Sequence, residues 1–288
     1  MEVEDDMPQP GLHLLLARRT LERWRTRSTA PFDTEHGDAE NAFLHGSLAP
    51  DMGNFPGGSR ALARAVHTRR TGQVARALLR TAGTDAELAF AWGWVTHVIA
   101  DALIHPLIND AAARRAPGAP VTIAEHVRVE VGVDVWFCWQ HAALSGVRLR
   151  PAFDRTTYQF LARALNPVLD TPLTTAQLAR MEKGLILFSH GALHFATSIA
   201  RHIWWRDAVA EIPLASSALW HTASRLSPRD SVVNAYLTPH VPEPRLVRAV
   251  QSALVSYEDM MDGVVADDAE SLPDYNLEDG RISGERAA

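Results

Sequence analysis

The chain has 288 residues, 47% of them hydrophobic and 22% charged, a composition that fits one globular domain with a substantial core. The formal net charge of −6 comes from the acidic ends, residues 2–6 and 267–288, so the body is slightly basic and no strong attraction to nucleic acid is expected. The single cysteine, Cys138, excludes an intrachain disulfide. The acidic start and the short apolar run LHLLLA are unlike a secretory signal, so we expect a cytoplasmic location.

The spacing of apolar residues predicts an all-α fold, because they recur three and four positions apart and runs of period two are scarce. We predict a single-domain multi-helix bundle over residues 7–266. A disordered acidic segment at 1–6 precedes it, and an acidic tail at 267–288, disordered or laid over the surface, follows it. Within the tail, the run PDYNLEDG is predicted to dock on the protein body. Helices are predicted at 11–27, 39–48, 59–82, 156–165, 175–205, 216–225 and 243–261, and two more begin after 84 and 122.

These two additional helices have chemically marked starts. TDAE at 84–87 and TIAE at 122–125 both have the form of a capping box, in which the threonine and the glutamate satisfy free backbone N–H groups. Pro106 is predicted to end the first of them directly after His105, and residues 114–120 form the loop between the two.

Residues 88–108 are apolar and close to the length of roughly 20 residues that a bilayer requires. Three ionisable groups lie on one face of this segment, and no second span of similar hydrophobicity could receive that face. We therefore predict no transmembrane segment.

The same segment contains His97, Asp101 and His105, each four residues from the next, so all three point to one side of a helix. A second helix repeats the spacing with His126 and Glu130. Burying ionisable groups among apolar side chains is costly unless something pairs with them or coordinates them. The two sets therefore predict a metal cluster between helices. Eight candidate ligands follow one another along the chain: His13, Asp51, His67, His97, Asp101, His105, His126 and Glu130.

In this order the chain resembles the zinc-dependent phospholipase C family. Five stretches carry the resemblance over roughly residues 7–140, namely PGLHLLLA, FLHGSLAPD, AVHTRRTGQVARALL, HVIADALIHP and EHVRVEVGVDVW. It implies an all-α bundle with two or three zinc ions in which Asp101 bridges two of them. Each zinc then has its own further ligands, which are Asp51, His67 and His97 for one and His105, His126 and Glu130 for the other. His13 resembles a ligand of the third zinc, which secreted members also bind through their free terminal amine.

Two positions depart from the family pattern. His105 lies four residues after Asp101, whereas the corresponding ligand of the family lies six residues after its aspartate. Met52 stands directly after Asp51, where choline-preferring members carry an aromatic residue.

A zinc pair lowers the pKa of a bound water to about 7 and holds phosphoryl oxygens, so the predicted activity is phosphodiester hydrolysis. By resemblance the substrate is a phospholipid headgroup, reached by transient contact with a membrane surface. Asp51 is expected to act first as a ligand and second as a base, and Asp101 as the bridge. Two alternatives remain open: a phosphodiesterase or nuclease acting on a soluble substrate, and a binding protein with structural zinc. Nucleic acid is disfavoured because arginine-rich patches are scattered, and the oligomeric state is not predicted.

Several further residues carry smaller predictions. Asp134 and Glu125 are candidates for hydrogen bonds that orient ligand imidazoles, a role that metal sites usually need, and a solvated helix face is equally expected for Glu125. His190 and His194 are either a second ligand pair or, as we favour, packed against an apolar helix face. The tryptophan pairs at 92 and 94 and at 204 and 205 are expected in the core rather than along a cleft. A cleft beside Asp51 would favour catalysis, and a sealed bundle would favour a structural site.

Overall fold

The structure is a computed structural model that describes residues 10–35, 37–55, 57–115, 117–118, 120–140, 149, 155–170, 172–210 and 243–283. The predictions for the acidic segment 1–6 and for a helix at 216–225 lie outside these ranges.

Nine α-helices account for most of the described chain, and this confirms the all-α prediction. A short 3-10 helix, Ala49–Gly53, carries Asp51. The only described strands, β1 (Tyr275–Asn276) and β2 (Arg281–Ile282), pair antiparallel with Tyr275 opposite Ile282. The helices are α1 (Pro10–Arg27), α2 (Ala39–Gly46), α3 (Arg60–Thr68), α4 (Thr71–Thr81), α5 (Asp85–Arg115), α6 (Ile123–Gln140), α7 (Arg155–Leu165), α8 (Thr175–Ala210) and α9 (Pro244–Ala266).

Helix α5 forms the centre of the bundle. Trp94, Val98 and Ile99 are completely buried, and α1, α2, α4, α6 and α9 all pack against this helix. A helix that is apolar on every side needs such surroundings. By length and composition α5 could cross a membrane, but 83% of its apolar window is buried inside the protein, as in the core helix of a globular domain.

Helices α2 and α5 touch backbone to backbone. A Cβ atom built on Gly93 would lie 2.1 Å from the Phe43 carbonyl oxygen, and one built on Gly46 would lie 2.1 Å from that of Phe90. Only glycine permits this approach, since any side chain would force the helices apart. The contact brings Ser47, at the end of α2, beside the helix that carries His97.

The threonine half of both capping boxes is confirmed, whereas the glutamates bind elsewhere: Glu87 accepts the Gly83 N–H and Glu125 pairs with Arg128. The backbone N–H of Glu87 donates to Thr84 Oγ1 over 3.2 Å, and that of Glu125 donates to Thr122 Oγ1 over 3.2 Å. The two ligand helices therefore begin where the sequence predicts.

The prediction that Pro106 ends its helix is wrong, because α5 continues through it to Arg115. A proline in a helix leaves the carbonyl four residues earlier without its usual donor, here that of Ala102. The tail packs against this point: a Cβ on Gly280 would lie 2.3 Å from the Ala102 oxygen and 2.7 Å from Pro106 Cγ. Gly280 also has φ 72°, which glycine adopts without strain.

The helix predicted over 59–82 is two helices, α3 and α4, with a break at Arg69 and Arg70. The C-terminal tail forms hydrogen bonds on both sides of the break. The Leu277 N–H donates to the His67 carbonyl over 2.6 Å, and Thr71 Oγ1 donates to the Tyr275 carbonyl over 3.1 Å. A partner about 200 residues away along the chain leaves no local signal in the sequence.

The described part of the tail docks on α3, α4 and α5. Ala269, Leu272 and Leu277 are buried there, and the run PDYNLEDG supplies strand β1 and the turn of the hairpin, as the docking prediction requires. The division of the chain into three segments stays a prediction.

Candidate metal centre

Asp101 lies at the middle of a group of histidines from two helices. Its Oδ2 is 2.9 Å from His97 Nε2, while its Oδ1 is 3.2 Å from His13 Nε2 and 3.6 Å from His105 Nε2. His97 and His105 approach it from one helical turn on either side because the three residues are spaced by four. The two oxygens of this carboxylate therefore face different sets of histidines.

The first set gathers around His97. His67 Nε2 lies 3.0 Å from Asp51 Oδ1, and His97 Nε2 lies 3.8 Å from the same oxygen. The 3-10 helix after α2 supplies Asp51 and helix α3 supplies His67. All three offer atoms within 4.8 Å of one another, the spacing of ligands around one ion.

The second set joins α5 to α6. His105 Nε2 lies 3.6 Å from Glu130 Oε1, and His126 Nε2 lies 3.9 Å from Glu130 Oε2. His105 takes part although its spacing departs from the family pattern, because α5 continues past Pro106 and keeps its ring on the ligand face. These three residues form a separate group of possible ligands.

His13 reaches the cluster from α1. Its ring stacks on that of His97 at 4.1 Å between centroids, and it forms a third possible ligand group with His97 and Asp101. The terminal amine lies outside the described residues, so a third zinc ion stays a prediction.

The hydrogen bonds of the histidine Nδ1 atoms, which face away from the cluster, fit a zinc site. His97 Nδ1 donates to the Ser47 carbonyl over 2.9 Å, and His67 Nδ1 donates to the Ala63 carbonyl over 2.8 Å. A carbonyl accepts only from a protonated nitrogen, so in the neutral rings Nε2 carries the free lone pair. His97 Nε2 is buried without a hydrogen-bond partner among the described residues, although carboxylates surround it. A cation between them would satisfy this atom.

The carboxylates and histidines of the cluster attract one another, and this shifts their pKa values. Burial alone would raise the pKa of Asp101, but the charges of His97, His105 and His13 hold it well below its usual range. Burial alone would lower the pKa of His67, but the hydrogen bond and charge of Asp51 raise it to about 9. Without a metal, the buried carboxylates thus draw protons onto His67 and His13, into the place that a cation would take.

A cleft of about 580 Å³ opens on one side of the cluster. Three arginines, at positions 60, 64 and 69, lie along its wall. A structural zinc site is closed by protein on all sides, whereas a catalytic one keeps a position for water. A cleft beside Asp51 therefore favours catalysis over a structural role. Seven of the eight candidate ligands line it: His13, Asp51, His67, Asp101, His105, His126 and Glu130.

Asp134 does not orient an imidazole, and Glu125 follows the alternative of a solvated helix face. Asp134 accepts the backbone N–H groups of Gly11 and Leu12 over 2.7 and 2.9 Å, so it binds the first turn of α1. Burial raises the pKa of Asp134 to about 7 against the lowering effect of these two donors. Glu125 instead pairs on the surface with Arg128 at 2.7 Å.

The groups that do hold the imidazoles were not predicted from the sequence. They are the carbonyls of Ser47 and Ala63 and the amide of Asn109, whose Oδ1 lies 2.8 Å from His126 Nδ1. Ala63 lies one turn before His67 and Asn109 one turn after His105, so helical spacing could have indicated both. Ser47 carries no such signal, because its position depends on the contact between α2 and α5.

Two smaller predictions concern residues outside the cluster. His190 Nε2 accepts the Leu149 N–H over 3.0 Å and His194 is exposed, so the packing of this pair against an apolar helix face stays a prediction. Trp92 and Trp94 are buried in the core, as expected. The side chains at 204 and 205 lie outside the described part.

Comparison with known proteins gives one match. The family described as zinc dependent phospholipase C matches residues 12–170, more than half of the chain. No curated protein and no solved structure matches significantly. The matched range contains all eight candidate ligands, whereas α9 and the C-terminal hairpin lie beyond it.

Proposed function

The chain belongs to the zinc-dependent phospholipase C family, and we propose that it hydrolyses the phosphodiester of a phospholipid headgroup. The observation that carries the proposal is the position of Asp101, whose two oxygens face two different ligand groups. A carboxylate in this position is suited to bridge a pair of ions. The open cleft in front of the pair offers room for a substrate.

The residues divide naturally between two zinc ions. Asp51, His67 and His97 would hold one, His105, His126 and Glu130 would hold the other, and Asp101 would join both. Zinc, when bound, lowers the pKa of a water to about 7 and acts as a Lewis acid toward phosphoryl oxygens. Imidazole and carboxylate donors in groups of four suit this ion.

The chain itself holds these donors in place. The Nδ1–H groups of His67 and His97 are bound to carbonyls, which prevents the rings from turning away from the cluster. Asp51 lies within 3.0 and 3.8 Å of two imidazole nitrogens, so we rank it first as a ligand and second as a base that receives a proton from the attacking water. In the proposed reaction the water oxygen bonds to phosphorus and the bond to the glycerol oxygen breaks. That oxygen takes a proton, so diacylglycerol and a phosphorylated headgroup are released.

Two other functions are supported less well. A closed structural zinc site does not account for the cleft beside Asp51. A nuclease for single strands usually stacks bases on large aromatic side chains, and the described residues that line this cleft include no Phe, Tyr or Trp. A cytoplasmic location stays a prediction, and there a soluble phosphodiester would be as accessible as a lipid.

We expect protein purified without chelator or added metal to contain about two or three zinc ions per chain. Chelation should abolish hydrolysis of bis(p-nitrophenyl) phosphate and of short-chain phospholipids, and zinc should restore both. Each occupied site should also stabilise the fold by about 2.7 kcal/mol at a free zinc concentration 100 times the Kd. Elemental analysis, activity assays and thermal unfolding measure the three effects. One zinc ion or none, with no hydrolysis after zinc is added, would contradict the proposal.

A further inference from the structure

One wall of the cleft carries arginines beside the ligand His67. Arg60, Arg64 and His67 are spaced by four and three residues, so they lie on one face of α3, and Arg69 follows the end of that helix. All three arginines are exposed and line the cleft. Apart from the ligands, Glu278 is the only carboxylate on the described part of the lining.

No carboxylate of the described residues lies within ion-pair distance of Arg64 or Arg69. The scissile phosphodiester does not need them. Two zinc ions facing the carboxylates of Asp51, Asp101 and Glu130 leave a net charge of about +1, which one phosphodiester balances. Arg64 and Arg69 are therefore available to a further negative group of the substrate.

The same wall is unsuited to a quaternary ammonium group. Such cations are held by the faces of Trp, Tyr or Phe, and the described lining has none of these three residue types. Met52, which stands at the aromatic position of choline-preferring relatives, is only 2% exposed.

We infer that the substrate headgroup carries a second anionic group, a phosphate or a carboxylate, which Arg64 and Arg69 bind beside the zinc pair. This rests on the proposed function. Guanidinium groups suit both anions, since they offer paired N–H donors to their oxygens.

The test uses the full, zinc-loaded chain and monomeric short-chain lipids, which avoid attraction to a charged membrane surface. We expect kcat/KM for phosphatidylinositol 4-phosphate and for phosphatidylserine to exceed kcat/KM for phosphatidylcholine at least about tenfold. Arg64→Gln and Arg69→Gln should each reduce this ratio of anionic to choline kcat/KM about tenfold. Arg163→Gln, an exposed position on α7, should leave the ratio unchanged. The deacylated glycerophosphodiesters of the same headgroups are assayed as well. Equal kcat/KM for these would indicate a soluble substrate, and a much lower kcat/KM would indicate a lipid.

Two outcomes separate the inference from the function on which it rests. The enzyme could hydrolyse bis(p-nitrophenyl) phosphate and yet act equally on all headgroups or prefer choline. Either result would overturn the inference and leave the proposed hydrolase function standing. Failure to hydrolyse any of these substrates in the zinc form would overturn both.

A second observation concerns the C-terminal hairpin. Asn109 Nδ2 donates to the Glu278 carbonyl, and Asn109 Oδ1 lies 2.8 Å from His126 Nδ1. The carbonyl of Glu278 can accept only from the NH₂ group of Asn109. The amide oxygen of Asn109 is therefore the end that faces His126. His126 Nδ1 must then be the donor, so the lone pair of Nε2 points toward Glu130.

We infer that Asn109 is a positioning residue through which the C-terminal hairpin holds His126 ready for the second zinc ion. The hairpin lies outside the range matched by the family, so this support is added by the rest of the chain. Partners behind a ligand typically change metal affinity about 10- to 100-fold.

For Asn109→Ala we expect about 10- to 100-fold weaker binding of one zinc ion and little change for the other, measured by competition with a chromophoric chelator. The ¹⁵N shifts of His126 in the metal-free protein should change from one tautomer to a mixture. Asn166→Ala is the matched control, since Asn166 also makes two hydrogen bonds, both to the backbone of Leu173. Unchanged zinc affinities and an unchanged tautomer in Asn109→Ala would overturn the inference, as would equal loss of affinity in Asn166→Ala.

Discussion

Asp101→Asn is expected to lose at least one zinc ion and to reduce hydrolysis by more than about 100-fold. Removing a residue that only hydrogen-bonds to a metal ligand typically costs up to about 100-fold, so the loss of a ligand should cost more. The amide keeps the size of the side chain but loses its charge. An NH₂ group replaces one of the two carboxylate oxygens, and this group donates hydrogen bonds but cannot bind metal. Since Oδ1 and Oδ2 face different histidines, both halves of the cluster are affected. Elemental analysis and the kcat of the purified variant measure the two effects.

The control for this change is Asp110→Asn, which removes the same charge from the same helix at an exposed position paired with Arg114. It should retain full zinc content and activity, because an exposed ion pair contributes little. An unchanged metal content in Asp101→Asn would contradict the bridging role.

Gly93→Ala is expected to lower the free energy of unfolding by about 3 kcal/mol, the upper end of what overpacking typically costs. The added methyl group would lie 2.1 Å from the Phe43 oxygen and 2.9 Å from the Ser47 nitrogen, both backbone atoms that cannot rotate away. Displacing Ser47 also removes the acceptor of His97 Nδ1, so zinc affinity should fall together with stability. Denaturant unfolding with and without zinc, beside a zinc titration, measures both.

Gly191→Ala on α8 is the comparison, because nothing lies within 4 Å of its Cβ position. Replacing an exposed helical glycine by alanine usually stabilises by up to about 1 kcal/mol. Equal stability of Gly93→Ala and the wild type would show that α2 and α5 can separate without cost, contrary to their close contact.

Most of the candidate zinc ligands could be predicted from the sequence, because they are spaced along helices. His97, Asp101 and His105 follow one helical face, and His126 and Glu130 follow another. The capping boxes that start both helices are equally local, since each involves residues three positions apart. Periodicity and capping act over one or two turns, and the sequence by itself therefore determined where the two ligand helices begin and which face of each carries the ligands.

Only the tertiary structure decided how the remaining parts meet. The place of Ser47 behind His97 depends on the glycine contact between α2 and α5, and the break after α3 depends on hydrogen bonds to the distant hairpin. Asp134 shows the same limit, because its partners on α1 precede it by more than 120 residues. The free energy of such contacts comes from groups that become neighbours only when the chain is packed. No local pattern specifies them, and the shape of the cleft in front of the cluster follows from that packing.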